Sequence, residues 1–449
     1  MTAAGTRARR GPAGSQEPRW ELVQLANGAQ LVLAPMAGRE SVAASMLVRV
    51  GSRWEIKRLA GVSHFLEHIV FKGTENFPTS RDVSQSIEGI GGVLNASTDK
   101  ELTTFWAKVP GSHLELALRL LFDLAFAPRI VPDEVDRERN VVLEELHMYL
   151  DQPGDLVQMI YDDLLWAEHP LGRDPAGTAA SLGRIGAVEL AKHRAAYYVP
   201  DRVVVVLSGG FDPVRAQRLV ERCFDEQPPG SGLRAGRHSD GGAPAPLGRE
   251  PTVKVRKRRG EQVHVLLGVR CSSYLAPDRW ALDVLNTVLG EGMSSRLFLE
   301  LRERQALAYD VHSFASRHRD AGAFGVYIAT QPEQVETAVL GALSEVGRLV
   351  RERLTDEELT RTKTQIEGRL RLQLESTSAM AEFLGHQAAL IGSVMAPAEV
   401  IGAVRAVTAQ EVQELAAALF LDQGWRLAAV GPGPTAEAGL AAISRGIAR

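Results

Sequence analysis

The chain has 449 residues, of which 45% are hydrophobic and 24% charged, and its formal net charge is −4 at pH 7. This composition is typical of a globular protein and excludes a disordered or fibrous chain, while the length predicts at least two domains. The small negative charge gives no general attraction to nucleic acid, and no apolar run reaches the roughly eighteen residues of a membrane helix. We therefore expect neither nucleic acid nor a membrane as a partner. The two cysteines, Cys223 and Cys271, allow neither a disulfide framework nor a thiolate metal site.

The N-terminal residues 1–18 contain three arginines and no acidic residue before Glu17. Such a composition loosely resembles an organelle transit peptide. The glycines and prolines of this segment argue against an amphipathic helix, so we predict a disordered tail that is not cleaved. The expected location is the cytoplasm, and the mitochondrial matrix is the alternative.

The segment GVSHFLEHIVFKGTENF, residues 61–77, places His64, Glu67 and His68 in an apolar stretch. On a helix, positions i, i+3 and i+4 share a face, so the three polar side chains project together. Two imidazoles four residues apart can bind one Zn²⁺, and a carboxylate between them is placed to take a proton from water. A catalytic site of this kind needs a third protein ligand from elsewhere in the chain. The competing interpretation is an ordinary helix with three polar residues.

Residues 227–251, QPPGSGLRAGRHSDGGAPAPLGREP, are rich in Gly and Pro and lack apolar periodicity, which predicts an interdomain linker. They divide the chain nearly in half, and a weak internal repeat relates the two halves. We predict an α+β fold with two similar domains, 19–226 and 252–449, of which only the first carries the histidine motif. The repeat consists of three pairs of segments in the same order: 103–124 with 322–343, 131–146 with 354–370, and 197–213 with 419–434.

Four further segments accompany the histidine motif: FKGT (71–74), GGVLNASTDKELTTFWAKV (91–109), DRERNVVLEEL (136–146) and HPLGRDPAGT (169–178). With the order H-x-x-E-H, they closely resemble the pitrilysin-type inverzincin zinc peptidases, in their processing-peptidase-like branch. The match covers nearly the whole chain from Trp20 onward. The resemblance implies two homologous domains, each a mainly antiparallel sheet packed with helices, that face each other around a chamber.

By this resemblance the two histidines bind zinc, one ion per chain, and Glu67 is the general base. The third ligand is Glu145, and Glu138 is an acid that supports the site without binding the metal. Helical geometry agrees with this assignment, because residues seven apart share a face while Glu144 is rotated from Glu145 by about 100°. Mn²⁺ or Co²⁺ also suits such a ligand set.

The resemblance also indicates residues that contact the substrate. Asn95 and Ala96 match the family's edge strand, where an extended peptide pairs through its main chain. In the second half, Arg302 and Tyr309 match an arginine and a tyrosine that contact the bound peptide. Both can donate hydrogen bonds to a carbonyl that gains negative charge. Without the resemblance, a solvated helix arginine and a strand tyrosine are the simpler interpretation.

The sequence therefore predicts a zinc endopeptidase that hydrolyses peptides or unfolded, presequence-like segments. By the resemblance, chains of this length pair to complete the chamber, and both motif sets on one chain favour a homodimer over a heterodimer. One alternative is a non-catalytic scaffold of a larger processing or respiratory complex, against which the complete set of ligands and base argues. Another is a zinc-dependent module that binds peptides without cleaving them.

Overall fold

The computed structural model describes residues 9–10, 19–227, 242–248, 250–421 and 424–433. The predicted N-terminal tail lies outside the described residues except for Arg9–Arg10, which form a short strand. Residues 228–241 and 249 of the predicted linker also lie outside them. Among the described residues, none of the helices combines the length and the apolar character that a membrane crossing requires.

The described residues form two β-sheets. Their strands are β1 (Arg9–Arg10), β2 (Glu21–Gln24), β3 (Gln30–Pro35), β4 (Ser41–Val48), β5 (Val93–Thr98), β6 (Thr103–Pro110), β7 (Val203–Gly209), β8 (Thr252–Lys257), β9 (Val263–Cys271), β10 (Asp310–Arg317), β11 (Gly322–Thr330) and β12 (Arg426–Gly431). The first sheet has the order β1-β2-β3-β7-β4-β6-β5, and the second has the order β10-β11-β9-β12-β8.

The helices lie between these strands in the chain. They are α1 (Val62–Val70), α2 (Ser80–Glu88), α3 (Leu114–Phe126), α4 (Pro132–Asp151), α5 (Pro153–Trp166), α6 (Ala179–Leu182), α7 (Ala187–Tyr197), α8 (Pro213–Asp225), α9 (Arg279–Gly290), α10 (Val335–Arg351), α11 (Asp356–Gln373), α12 (Thr377–His386), α13 (Pro397–Ala406) and α14 (Ala409–Phe420). The described chain also contains two π-helical segments, Phe298–Arg304 and Gln387–Ile391, and several 3-10 helices of three residues each.

The two sheets repeat one topology. Five strands of the first sheet, read from its edge as β5-β6-β4-β7-β3, correspond in order to β10-β11-β9-β12-β8. In each sheet one pair is parallel, β3 with β7 and β8 with β12, and the other pairs are antiparallel. The predicted α+β class, with two homologous and mainly antiparallel sheets, is confirmed.

The elements of the predicted repeat also correspond. Strand β6 with helix α3 matches β11 with α10, helix α4 matches α11, and strand β7 matches β12. The periodicities that predicted the repeat therefore reflect real elements. Strand β7 is buried throughout because it lies inside its sheet, which explains its continuous run of valines.

The chain forms two compact units, and each half contributes one segment to the other half's unit. The first unit contains the described residues up to Leu146 together with segments 173–241 and 371–398, and the second contains the remainder. In the first unit α12 packs on β4 and β7, and in the second α5 packs on β12 and β9. The sequence predicted two domains that follow one another along the chain. The compact units differ from this prediction at helices α5 and α12, each of which belongs to the unit of the other half.

Candidate metal centre

Helix α1 carries the histidine motif, and buried polar groups fix its first turn. The Glu55 carboxylate accepts hydrogen bonds from the backbone N–H groups of Gly61, at 2.7 Å, and Ser63, at 2.8 Å. Burial raises the pKa of Glu55 to about 7. The Ser63 hydroxyl lies 3.1 Å from His193 Nε2. Gly61 has a φ of +93°, and a Cβ there would lie 2.8 Å from the carbonyl oxygen of Ala176. The direction of α1 is therefore set by close contacts at its start.

Three potential ligand atoms meet between α1 and α4. His64 Nε2 lies 3.3 Å from His68 Nε2. Glu145 Oε2 lies 3.6 Å from His64 Nε2 and 3.2 Å from His68 Nε2. A tetrahedral zinc ion with bonds of about 2.0–2.1 Å has ligand atoms about 3.3–3.4 Å apart. The spacing of the three atoms therefore fits one zinc ion. Within the part of the chain that the structure describes, no other group of three His, Cys, Asp or Glu side chains meets this closely.

Glu138 and Lys72 support this cluster on the side of His68. His68 Nδ1 lies 3.0 Å from Glu138 Oε1, and because a carboxylate only accepts, Nδ1 carries the hydrogen. The lone pair of His68 Nε2 is thereby directed to the cluster. The other carboxylate oxygen of Glu138 forms an ion pair with the Lys72 ammonium group. Glu138 is only 6% exposed, and a buried carboxylate needs such partners. His68 and Lys72 supply them.

The two imidazoles have different electrostatic environments. Burial and the neighbouring His68 lower the pKa of His64 to about 4, so this imidazole is neutral at pH 7. Burial alone would also lower the pKa of His68, but the Glu145 and Glu138 carboxylates outweigh it and raise this pKa. Neutral imidazole is the form that binds a metal, and a bound cation favours it further.

Glu67 lies on the same helix as the histidines and is largely buried. Its Oε2 atom has no hydrogen-bond partner among the described residues, and the same holds for His64 Nδ1. Burial raises the pKa of the Glu67 carboxyl above its ordinary value. Buried polar atoms without partners are uncommon in proteins.

The structure brings together the residues that the sequence predicted for the metal site. Glu145 and Glu138 both project from α4 toward α1, whereas Glu144 is exposed to solvent. The rotation of a helix by about 100° per residue explains this difference between adjacent glutamates. The roles of these residues as ligands, base and support stay predictions.

Strand β5, which contains Asn95 and Ala96, forms the edge of the first sheet as described. It pairs with β6 on one side, and helix α1 packs against it. The Asn95 side-chain oxygen accepts a hydrogen bond of 2.8 Å from the backbone N–H of Ala96. Strand β5 therefore lies against the helix that carries the two histidines, and peptide binding at Asn95 and Ala96 stays a prediction.

Arg302 and Tyr309 lie in the second compact unit. The Arg302 guanidinium is 4.9 Å from the ring centre of Phe298 and 5.3 Å from that of Tyr309. Tyr309 is 71% exposed, so its phenol is accessible to a ligand. The structure brings this pair together, and it places the pair in a different unit from the metal cluster.

Two residues of the site were not predicted from the sequence. Lys72 lies four residues after His68. This spacing was the sequence signal that both side chains could lie beside one residue, Glu138. Glu55 lies in a short loop segment that precedes α1, and no sequence pattern connects it to the start of that helix. Its role depends on tertiary contacts.

Comparison with known proteins gives consistent results for both halves of the chain. Residues 31–179 match the family model described as Insulinase (Peptidase family M16), and residues 184–366 match the Peptidase M16 inactive domain. An uncharacterized zinc protease of Streptomyces coelicolor is 34% identical over 399 residues, or 87% of this chain and 85% of that protein. Another, from Mycobacterium leprae, is 36% identical over 414 residues, or 91% of each chain. The solved structure of a protease from Helicobacter pylori has a similar fold, with a TM-score of 0.87 and 23% identity over 93% of this chain and 100% of that one.

Proposed function

This chain belongs to the M16 peptidase family, and we propose that it is a zinc-dependent endopeptidase. The observation that supports the proposal is the cluster of His64, His68 and Glu145 beside the buried carboxylate of Glu67. We propose peptides or unfolded, presequence-like segments as the substrates, because an edge strand recognises extended main chain rather than folded surfaces.

The ligand set suits one zinc ion per chain. Two imidazoles and one carboxylate are the protein ligands of known hydrolytic zinc sites, which leave a further position for water or substrate. When bound, zinc polarises the scissile carbonyl and lowers the pKa of a water molecule toward neutrality. Glu138 holds the His68 ring in the tautomer that binds a metal, and Lys72 compensates the charge of Glu138.

Glu67 acts as the general base in this proposal. Its carboxylate removes the proton from the attacking water and then delivers it to the amine of the departing peptide. A buried position supports this role, because burial raises the pKa of Glu67 and so strengthens its conjugate base. The Oε2 atom has no described partner that would compete for the proton.

The peptide is proposed to pair with the main chain of β5 at Asn95 and Ala96. An extended peptide added to this edge continues the antiparallel sheet and brings its carbonyl groups close to α1. Arg302 and Tyr309 are proposed to donate hydrogen bonds to the carbonyl as it gains negative charge. Their mutual stacking keeps both groups in one place.

We propose a homodimer as the assembly and a heterodimer as the alternative. One chain carries both the metal cluster and the Arg302 and Tyr309 pair, so two copies of it would provide two complete sets of catalytic groups. Sedimentation velocity of the purified chain tests this proposal directly. A monomer at micromolar concentration with full peptidase activity would contradict it.

The test of the proposed function is cleavage of quenched fluorescent peptides with zinc content determined on the same samples. We expect the wild type to contain about one zinc ion per chain and to cleave. Glu67→Gln should keep the metal and lose about 10²–10⁴-fold in activity, the usual contribution of a general base. Glu144→Gln, which alters an exposed glutamate on α4, is the matched control and should behave as wild type.

Two outcomes would contradict the proposal. A wild type that binds zinc and peptides without cleavage would be a peptide-binding module or a scaffold. A wild type that purifies without zinc, and takes up none from a metal buffer, would exclude the metal site itself.

A further inference from the structure

Helix α1 packs against strand β5, and this contact brings Thr98 to the proposed base, Glu67. Side chains alternate along a strand, so Thr98 shares a face with Ala96, while Ser97 points to the opposite face. Thr98 stands opposite Thr103 of β6, which is fully buried. The face that these two threonines share is therefore the one that α1 covers.

The two opposite threonines differ in their hydrogen bonds. The Thr103 hydroxyl donates a hydrogen bond of 3.0 Å to the carbonyl oxygen of Val50, so its hydrogen is engaged by the backbone. Thr98 Oγ1 is also buried, but it has no hydrogen-bond partner among the described residues. A buried hydroxyl without a partner costs free energy of folding, and it is free to serve another group.

The Thr98 hydroxyl faces the carboxyl group of Glu67. Burial raises the pKa of Glu67, and of the influences that lower this pKa the Thr98 hydroxyl is the largest. A hydroxyl has this effect when its hydrogen is directed to the carboxylate, because it then stabilises the charged form. Glu67 Oε2 has no partner among the described residues either. A donor and an acceptor without other engagements therefore lie side by side.

Tyr198 provides a second buried hydroxyl near Glu67. Its ring centre lies 6.3 Å from that of Phe105 on β6, and its phenol oxygen has no partner within the described part of the chain. Burial raises the pKa of Tyr198, and the Glu67 carboxylate raises it further by its charge. Tyr198 and Glu67 interact only through this charge, so Thr98 is the hydroxyl of the two that is placed to donate to the carboxylate.

Strand β5 connects this contact to the substrate. The peptide is proposed to pair with the main chain at Asn95 and Ala96, and Thr98 follows two residues later on the same strand. Hydrogen bonds of catalytic groups are often long or poorly aligned before the substrate binds, and they shorten in the substrate complex. Peptide binding to β5 would thus act on the strand that also contacts the base.

We propose that Thr98 is a positioning residue, whose hydroxyl donates a hydrogen bond to Glu67 Oε2 and holds the carboxylate in its catalytic orientation. The inference rests on the proposed peptidase function and adds a residue to its mechanism. With Oε2 held in this way, the second carboxylate oxygen is available for the proton of the attacking water. The base and the bound peptide are then both positioned by one strand of the sheet.

The first experiment measures cleavage of a quenched fluorescent peptide by wild type, Thr98→Val and Thr98→Ser. Valine has the shape and the strand preference of threonine but lacks the hydroxyl. We expect Thr98→Val to keep its zinc and its KM and to lose about tenfold in kcat, as for a hydrogen bond to a charged group. Thr98→Ser, which restores the donor, should recover kcat to within about threefold of wild type.

Thr104→Val is the matched control. Thr104 follows Thr103 on β6, so its side chain points to the opposite face of the sheet. There it lines a cavity of about 230 Å³ together with Trp106 and with Glu382 of α12. The same substitution on this face should leave kcat and KM as in the wild type. An equal loss of kcat in Thr104→Val and Thr98→Val would assign the effect to the hairpin as a whole and overturn the proposal.

A double-mutant cycle tests the contact without any cleavage. Glu67→Met removes the acceptor and keeps an unbranched side chain, and it is combined with Thr98→Val. Urea unfolding gives the equilibrium constants of the two single variants, the double variant and the wild type. Each single variant already breaks the hydrogen bond, so the combined effect should differ from the product of the single effects by about tenfold. A difference below about twofold would mean independent residues and would overturn the assignment.

The two proposals fail in different ways. If the wild type cleaves and Thr98→Val keeps the wild-type kcat, or Thr98→Ser is impaired as much as Thr98→Val, the assignment of Thr98 is wrong and the peptidase function stands. If neither the wild type nor any variant cleaves, the peptidase function is wrong and the cycle decides the contact. A coupling of about tenfold then supports the hydrogen bond between Thr98 and Glu67, and independent effects exclude it.

Discussion

Five strands of the first sheet have the same order as the five strands of the second, yet the helices that follow equivalent strands carry different side chains. Helix α1, after β4, presents His64 and His68 to Glu145. Helix α9, after β9, buries mainly Leu and Val side chains. Its buried polar side chains, Asn286 and Thr287, are each 2.9 Å from a carboxylate oxygen of Glu291. The same topology therefore carries a cluster of potential metal ligands in one unit and a mainly apolar helix in the other, and the difference lies in a few side chains.

The helices that cover the two sheets differ in the same way. Helix α5 places Tyr161 and Trp166 on the second sheet, where both are fully buried. Helix α12 approaches the first sheet at Gly385, where a Cβ would lie 2.9 Å from a methyl group of Leu47. The side chains of α12 that line the cavity are polar. Large aromatic side chains close the face in one unit, and small or polar side chains leave a cavity in the other.

The largest effect is expected when the metal cluster, which distinguishes the first unit from the second, loses one of its three potential ligands. Glu145→Gln should reduce zinc affinity by more than the roughly 100-fold that loss of a supporting residue costs, leaving little metal after dialysis. The second unit has no equivalent cluster among its described residues to take over the ion. Zinc content by atomic absorption measures the effect, with Glu144→Gln as the control. A Glu145→Gln protein that retains one zinc per chain would place the ion elsewhere.

A pH series tests how α1 is held. Burial raises the pKa of Glu55 from 4.5 to about 7, so the folded state keeps a proton that the unfolded chain releases in this range. The stabilising contribution is therefore fully present below pH 4.5 and is lost as pH rises to 7. At 1.36 kcal/mol per pKa unit, the difference in unfolding free energy between wild type and Glu55→Gln should change by about 3 kcal/mol across the window.

Urea unfolding at several pH values measures this change. Glu88→Gln, which changes an exposed glutamate of α2, serves as the control. If the Glu55→Gln and wild-type curves run parallel between pH 4.5 and 7, burial does not raise the pKa of Glu55.

A smaller effect is expected when the support of the cluster is altered and its ligands are kept. In Glu138→Gln, the amide oxygen can still accept from His68 Nδ1, but the charge that pairs with Lys72 is lost. We expect zinc affinity to fall by about 10–100-fold, as for other residues that orient a ligand. Competition with a chromophoric chelator gives the affinity. Unchanged affinity would mean that His68 is oriented without Glu138.

The sequence predicted the repeated topology because the alternating and helical periodicities recur in the same order in both halves. Through the family resemblance it also predicted that Glu145, and not Glu144, belongs to the cluster, and the spacing of seven residues from Glu138 agreed with that choice. The first prediction depends on local periodicity, and the second depends on a short motif that the family shares. The exchange of α5 and α12 between the units was not predicted, because an amphipathic helix does not specify which sheet will cover its apolar face.

The cavity was also beyond sequence reasoning. Asp99 and Trp106 lie on one hairpin, but Glu382 comes from the other half of the chain and joins them only through the exchanged helix. The contact of Glu55 with the start of α1 likewise depends on the fold and follows from no sequence pattern. The histidine motif and the family resemblance therefore predicted the potential metal ligands that the structure brings together, whereas the groups that surround them were found only in the structure.

The smallest effect contrasts the two covering helices. The Tyr161 hydroxyl donates a buried hydrogen bond of 2.9 Å to the carbonyl oxygen of Phe324, so Tyr161→Phe should lower the free energy of unfolding by about 1 kcal/mol. Ser378 lines the cavity, and Ser378→Ala should change it by no more than about 0.5 kcal/mol. Urea unfolding of both variants compares them directly. Equal losses would mean that α12 packs on the first sheet as tightly as α5 packs on the second.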